Sequence, residues 1–214
     1  MGIWWESTRS PTGPRSFDPV RIADLEYSMW VAYYLRRWTR LGAAMVRLLR
    51  LGFGPNWVRV AQSGWLMMRA TRLWAPYPDN DPDGAHACLS ELYALVRRHF
   101  GEPADPALAA SLEIDWWRAH RKRQYAQDPA KTGDELVEAL TRLYCYLFGE
   151  TEAAVRPTAM YRVLAMDLSD QWVRTGCRLD SPLLPLLRAA LIRTYAALLA
   201  AVQRGNGTGE LKLF

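Results

Sequence analysis

Apolar residues recur three and four positions apart through most of this chain. From Asp18-Pro19 onward, Leu25, Met29, Trp30, Leu35, Trp38, Met45, Leu48 and Leu49 trace one stripe, which predicts a first helix from 18 to about Gly52. Asp offers an oxygen to the free N–H groups of a helix start, and proline at the first helical position has no hydrogen bond to lose. Pro55-Asn56 starts a second helix ending near Pro76. Pro76–Gly84 is a turn-rich, acidic loop, and Asp83 is the expected cap of a third helix that runs through His99 and closes at Gly101. Asp105-Pro106 repeats the first start signal, and further helices are expected near 106–126, 134–148, 157–176 and 183–203. No segment alternates with the period of a strand. The expected fold class is all-α, a bundle of six to seven helices.

The two start signals belong to a longer match. At a constant offset, Asp18, Pro19, Ala23, Leu25, Glu26, Trp30, Ala32 and Arg36 are identical to Asp105, Pro106, Ala110, Leu112, Glu113, Trp117, Ala119 and Arg123. Weaker matches follow: Arg59-Val60 with Arg162-Val163, and Ala87, Leu89, Tyr93 and Ala94 with Ala189, Leu191, Tyr195 and Ala196. The pattern predicts an internal duplication of a three-helix unit with a pseudo-twofold axis, repeats spanning 18–101 and 105–204. The polar, proline-containing stretch Gln127–Gly133 would break in the second half what reads as one long helix in the first. Residues 1–17 and 205–214 read as flexible segments outside a single helical domain at 18–204.

Composition narrows the class. Half of the 214 residues are apolar, which is globular composition and enough for a sizeable core. No apolar run approaches the roughly 18–20 residues that read as a transmembrane segment, and the N-terminus lacks the pattern of a secretory signal. Cys88, Cys145 and Cys177 are odd in number and lack metal or redox spacing, so they read as reduced thiols of a cytoplasmic protein. Of 27 basic residues 24 are Arg, and the net charge of +5 sits wholly in residues 1–101. Arg36, Arg40, Arg47 and Arg50 form a stripe along the first helix. Such a stripe is either a solvated face or a surface for an anion or an acidic partner. No nucleic-acid motif or dense basic cluster appears, so specific nucleic-acid binding is not expected. No nucleophile-elbow, P-loop, dinucleotide or zinc-finger pattern supports hydrolase, kinase or dehydrogenase chemistry.

The repeated polar positions are the candidate chemistry. Glu113 and His120 stand two helical turns apart on one side of a helix, as do Glu26 and Tyr33. Glu113 and His120 lie at the edge of their helix's apolar arc, and a buried carboxylate needs a hydrogen-bond partner, a counter-charge or a cation. Duplicated bundles can meet that need with a metal held by facing helices, and carboxylate with imidazole suits Fe or Mn. The expected ligands are Glu26, Glu113, His120 and Asp167. Tyr33, Trp30, Trp117, Asp170 and Glu91 would form the surrounding shell or a small-ligand site. The Glu-x6-His pair at Glu113 and His120 resembles one arm of the haem-oxygenase-like di-metal oxidases. That family places further histidines near an aspartate on a later helix, where this chain has Val163 and Asp170.

Three readings follow. The first is a helical protein with an Fe, Mn or small-ligand site between two repeats, which would suit an oxidoreductase. The bland counter-reading is that Glu26 and Glu113 are neutralised by arginines of neighbouring helices, and that Asp170 and Arg174 are a helix-surface pair. The second is a non-catalytic interaction or scaffold protein that binds a protein partner, or a second copy of itself, through the basic helix face or the apolar termini. Peripheral membrane contact through the Trp- and Arg-rich first helix ranks last, because that helix reads as long, its apolar face is needed for the core and it repeats in the second half. Trp30, Trp38, Trp65, Trp74, Trp116, Trp117 and Trp172 are expected to be packing residues.

Overall fold

The computed structural model describes residues 13–126 and 133–207. Trp4, Trp5, most of the Gln127–Gly133 stretch and the tail from Thr208 lie outside the described residues. Among the described residues the chain is all-α, with eight helices and no strand: α1 (Pro19–Tyr34), α2 (Trp38–Phe53), α3 (Trp57–Trp74), α4 (Pro82–Phe100), α5 (Pro106–Tyr125), α6 (Gly133–Phe148), α7 (Glu152–Arg174) and α8 (Leu183–Gly207).

Local chemistry sets several of these boundaries. The Asp18 carboxylate accepts from the N–H groups of Val20 and Arg21, and that of Asp105 from Ala107 and Leu108, each with proline next in sequence. Asn56 caps α3 through Arg59 N–H. Gly101 ends α4 in the left-handed region at φ 82°, where a residue without Cβ is unstrained.

Other boundaries differ from the periodic pattern. The first long helix is two helices: the chain turns at Leu35–Arg37, and Arg36 sits at φ 54°. No glycine or proline marks this turn, so the count is eight rather than six or seven. Asp81, not Asp83, caps α4, accepting from Gly84 N–H, with Pro82 at the first helical position. Helix α7 begins at Glu152 and continues through Pro157. Val155, Thr158 and Ala159 are buried around that proline, and their packing offsets its missing hydrogen bond.

Each helix packs on its neighbour in the chain, and α8 packs back on α1. Three apolar clusters fill this ring. Leu66, Ala70, Leu89, Leu92 and Ile114 join α3, α4 and α5. Leu136, Leu140, Ala159, Val163 and Met166 join α6 and α7 to Ala119 of α5. Ala23, Trp172, Leu187 and Leu191 join α1, α7 and α8. Helix α8 is the one described helix long and apolar enough to cross a membrane (Leu183–Arg204), and it is also a core helix of this ring.

The α2–α3 corner has no comparable cluster. Helix α6 buries Leu136, Val137, Ala139, Leu140, Thr141 and Leu143, whereas α2 buries Ala44 and Phe53. Helices α2 and α3 meet at Gly64, where a Cβ would stand 3.4 Å from Leu49 Cδ1. Their outer faces are open.

Candidate functional site

The repeated glutamates point into the ring, where each finds partners made of protein. Glu26 is 8% exposed. Arg162 of α7 donates to both of its carboxylate oxygens at 2.6 Å, and the Tyr195 hydroxyl of α8 donates to Oε2 at 2.6 Å. The Arg162 guanidinium also lies over the Trp30 ring, 5.1 Å from its centroid. Glu113 accepts from the Tyr93 hydroxyl of α4 at 2.9 Å and from Trp117 Nε1 at 3.2 Å. Burial pushes its carboxyl above the usual 4.5, against the opposing pull of these donors and of Arg162 nearby. Burial also pushes the Tyr144 hydroxyl up to about 12, with Arg162, Glu26 and Glu113 all acting on it. The interior thus gathers two carboxyls, one guanidinium and three phenols.

The other candidate ligands form a second seam, between α5 and α7. His120 Nε2 lies 3.2 Å from Asp170 Oδ2, and Gln124 donates to Asp170 Oδ1 at 3.0 Å. Asp167 is held at two oxygens by Arg123, 2.8 Å each. Asp170 therefore turns to His120 and Gln124 across the helix interface, not to Arg174 on its own helix. Tyr33 is 41% exposed and packs edge-on against Tyr34 and Trp38, at the turn between α1 and α2. Glu91 lines a surface groove of about 420 Å³ between α3 and α4, with Trp65, Arg69 and Arg98. Among the described residues no group of three or more His, Cys, Asp and Glu converges in a way that could hold a metal ion. The structure brings His120 to Asp170 and both glutamates to the neighbourhood of Arg162, but it does not bring the four expected ligands together.

The Arg stripe behaves differently. Between Glu26 and Asp79 the sequence contains no acidic residue, and it contains eight arginines: 36, 37, 40, 47, 50, 59, 69 and 72. Helices α2 and α3 lie wholly within this stretch. Elsewhere Arg15, Arg118, Arg123, Arg156, Arg162, Arg178 and Arg188 pair with carboxylates, while among the described residues others such as Arg97, Arg98 and Arg193 do not. Among the described residues none of the eight forms an ion pair with a carboxylate. Arg59 contacts His99, and Arg50 lies over the Trp57 ring at 4.6 Å.

Large apolar side chains emerge between these charges. Trp38, Trp57 and Trp65 are 59, 57 and 64% exposed, and Val46, Val58 and Met68 are exposed beside them. The expectation that Trp38 and Trp65 are packing residues is corrected here: α2 and α3 turn those positions outward. Trp172 and Trp30 do enter the core. A helical period alone places residues on one face, and cannot say whether that face is covered. The signal that could have found this surface is the long stretch without an acid. No family model matches the chain, and no curated protein or solved structure matches it either. The functional reading therefore rests on the chain's own residues.

Proposed function

We propose that this protein is a helical binding protein that acts by docking rather than catalysis, with the outer face of α2 and α3 engaging an anionic partner. One observation carries this reading: six arginines that, among the described residues, have no carboxylate partner share α2 and α3 with three exposed tryptophans, and Arg36 and Arg37 precede them in the turn. Unpaired charge of one sign projects a field that concentrates the opposite sign. Tryptophan and arginine are also the side chains most enriched where interfaces bury energy. An Fe or Mn centre would have to draw Glu26 from Arg162 and Asp167 from Arg123, leaving two guanidiniums without their carboxylates. The bland alternative for Glu26, neutralisation by an arginine, fits its surroundings without further assumption.

The test is charge reversal on the open face. Arg40→Glu with Arg47→Glu changes two exposed residues outside the core. Binding to soluble polyglutamate is expected to weaken at least tenfold, with unchanged helical circular dichroism. Binding of wild type that survives the reversal intact would remove this face as the docking surface.

The duplication belongs to the same reading, with a four-helix unit in place of three. The neighbour pairs α1–α2, α2–α3 and α3–α4 have counterparts in α5–α6, α6–α7 and α7–α8, and α8–α1 has its counterpart in α4–α5. Tyr195 donates to Glu26 as Tyr93 donates to Glu113, and both residues of each pair are matched in sequence. Under this reading the second half keeps the scaffold sealed and the first half has opened its α2–α3 corner. An experimental structure in which α1–α4 fail to superimpose on α5–α8 would refute it.

A further inference from the structure

We infer that the anionic partner is a lipid bilayer surface, met by the α2–α3 hairpin lying flat upon it. This inference rests on the docking reading above and names its occupant. Three observations favour lipid over an acidic protein.

The first is uniformity. A protein partner is selected by a pattern of both signs that fixes register and rejects wrong partners. The stretch 27–78 has no pattern of that kind, since it has one sign only. Beside the hairpin's flank, Glu91 lines the α3–α4 groove together with Arg69. A leaflet rich in anionic headgroups asks for a uniform positive field and no register.

The second is the kind of apolar residue exposed. Trp38 stands at the start of α2 and Trp57 at the start of α3, with Trp65 further along α3. Helix α2 is about 24 Å long, so the indoles are spread along the hairpin rather than gathered in a pocket. Indoles favour the boundary between headgroups and acyl chains, and a surface-lying helix inserts such a row while its arginines reach the phosphates. Val46, Val58 and Met68 add apolar area between them.

The third is the freedom of these faces from duty inside the fold. In sequence, membrane contact ranks last because the first helix reads as long, its apolar face is needed for the core and it repeats in the second half, but α6, the counterpart of α2, buries its face where α2 does not. The turn at Leu35–Arg37 ends α1 and folds α2 back as a separate helix, and α2 fully buries only Ala44 and Phe53. Leu41, Met45, Leu48 and Leu49 on the inner side are partly covered, so the outer side is free for a flat surface without unfolding anything.

The experiment is co-sedimentation of the full chain with vesicles of phosphatidylcholine alone or mixed with phosphatidylglycerol, beside a soluble polyglutamate arm. Expected is binding to the mixed vesicles and not to phosphatidylcholine alone, tighter than binding to polyglutamate and weakened by salt. It should fall roughly tenfold or more in the Arg40→Glu, Arg47→Glu variant. In the bound state, brominated lipid should quench wild-type fluorescence more than that of Trp57→Phe with Trp65→Phe, which keeps the fold because both residues are exposed. Binding to polyglutamate but not to mixed vesicles overturns the lipid inference and leaves the anionic-partner reading standing. Binding to neither overturns both. Vesicle binding that ignores the charge reversal overturns the inference by assigning the contact to another surface.

Discussion

Arg162 is the residue on which the interior turns. It neutralises Glu26 at both oxygens, stacks on Trp30 and lies close enough to Glu113 to favour its ionised form. Removing it strands a buried carboxylate, so Arg162→Met should destabilise by about 3–5 kcal/mol. Pairing it with Glu26→Gln should recover part of that loss, because the stranded charge is gone. Urea denaturation of the two variants measures both effects. Equal loss in single and double variants would mean that Arg162 matters for packing alone. Glu113 makes a different prediction. Burial raises its carboxyl above 4.5, so the folded chain holds a proton that the unfolded chain releases. Its contribution to stability is full below the unfolded value and is lost as pH rises through the raised one. The stability of wild type relative to Glu113→Gln should therefore be greatest in acid and decline toward neutral pH. Thermal melts of both proteins across that range check it, and a flat difference would contradict it. In sequence, the need of Glu113 for a partner was legible from its place at the edge of an apolar arc, and that of Glu26 from its match to Glu113. The identity of the partners was not, since Arg162 lies 136 residues from Glu26 and Tyr195 lies 169. The matched tyrosines, 93 and 195, were visible as repeats without any sign that they face the glutamates.

At the scale of elements, the turn between α1 and α2 decides which surfaces exist. Leu35, Arg36 and Arg37 are all residues that favour helix, and the continuous apolar stripe predicts no break there. Packing overrides propensity: Tyr34 and Leu35 pack into the α1–α7–α8 cluster, and α2 leaves in a new direction. The cost appears at Arg36, a non-glycine residue at φ 54°. Arg36→Gly should thus be neutral or stabilise by up to about 1 kcal/mol, whereas Arg36→Val should destabilise. Ranking the melting temperatures of wild type and the two variants tests the turn. A clear loss of stability in Arg36→Gly would indicate that the residue is helical. By contrast, the starts of α1, α3 and α5 were legible because Asp-Pro and Pro-Asn act on the adjacent backbone and depend on nothing distant.

At the scale of the molecule, the main helix contacts among the described residues join consecutive helices, and α8 on α1 closes the ring. The all-α class was legible because a period of 3.6 is written locally. The open α2–α3 corner was not, because an apolar stripe looks the same in sequence whether a neighbour covers it or not. The asymmetry of charge does survive in the sequence, as the acid-free stretch 27–78. It coincides with the faces that the ring leaves uncovered. The central claim is that this corner is where the protein meets its anionic partner, and amide hydrogen exchange with and without phosphatidylglycerol-containing vesicles tests it most directly. Slower exchange is expected, confined to residues 38–74, with unchanged exchange in α6, α7 and α8. Protection centred on α5–α8, with α2 and α3 unaffected, would contradict it.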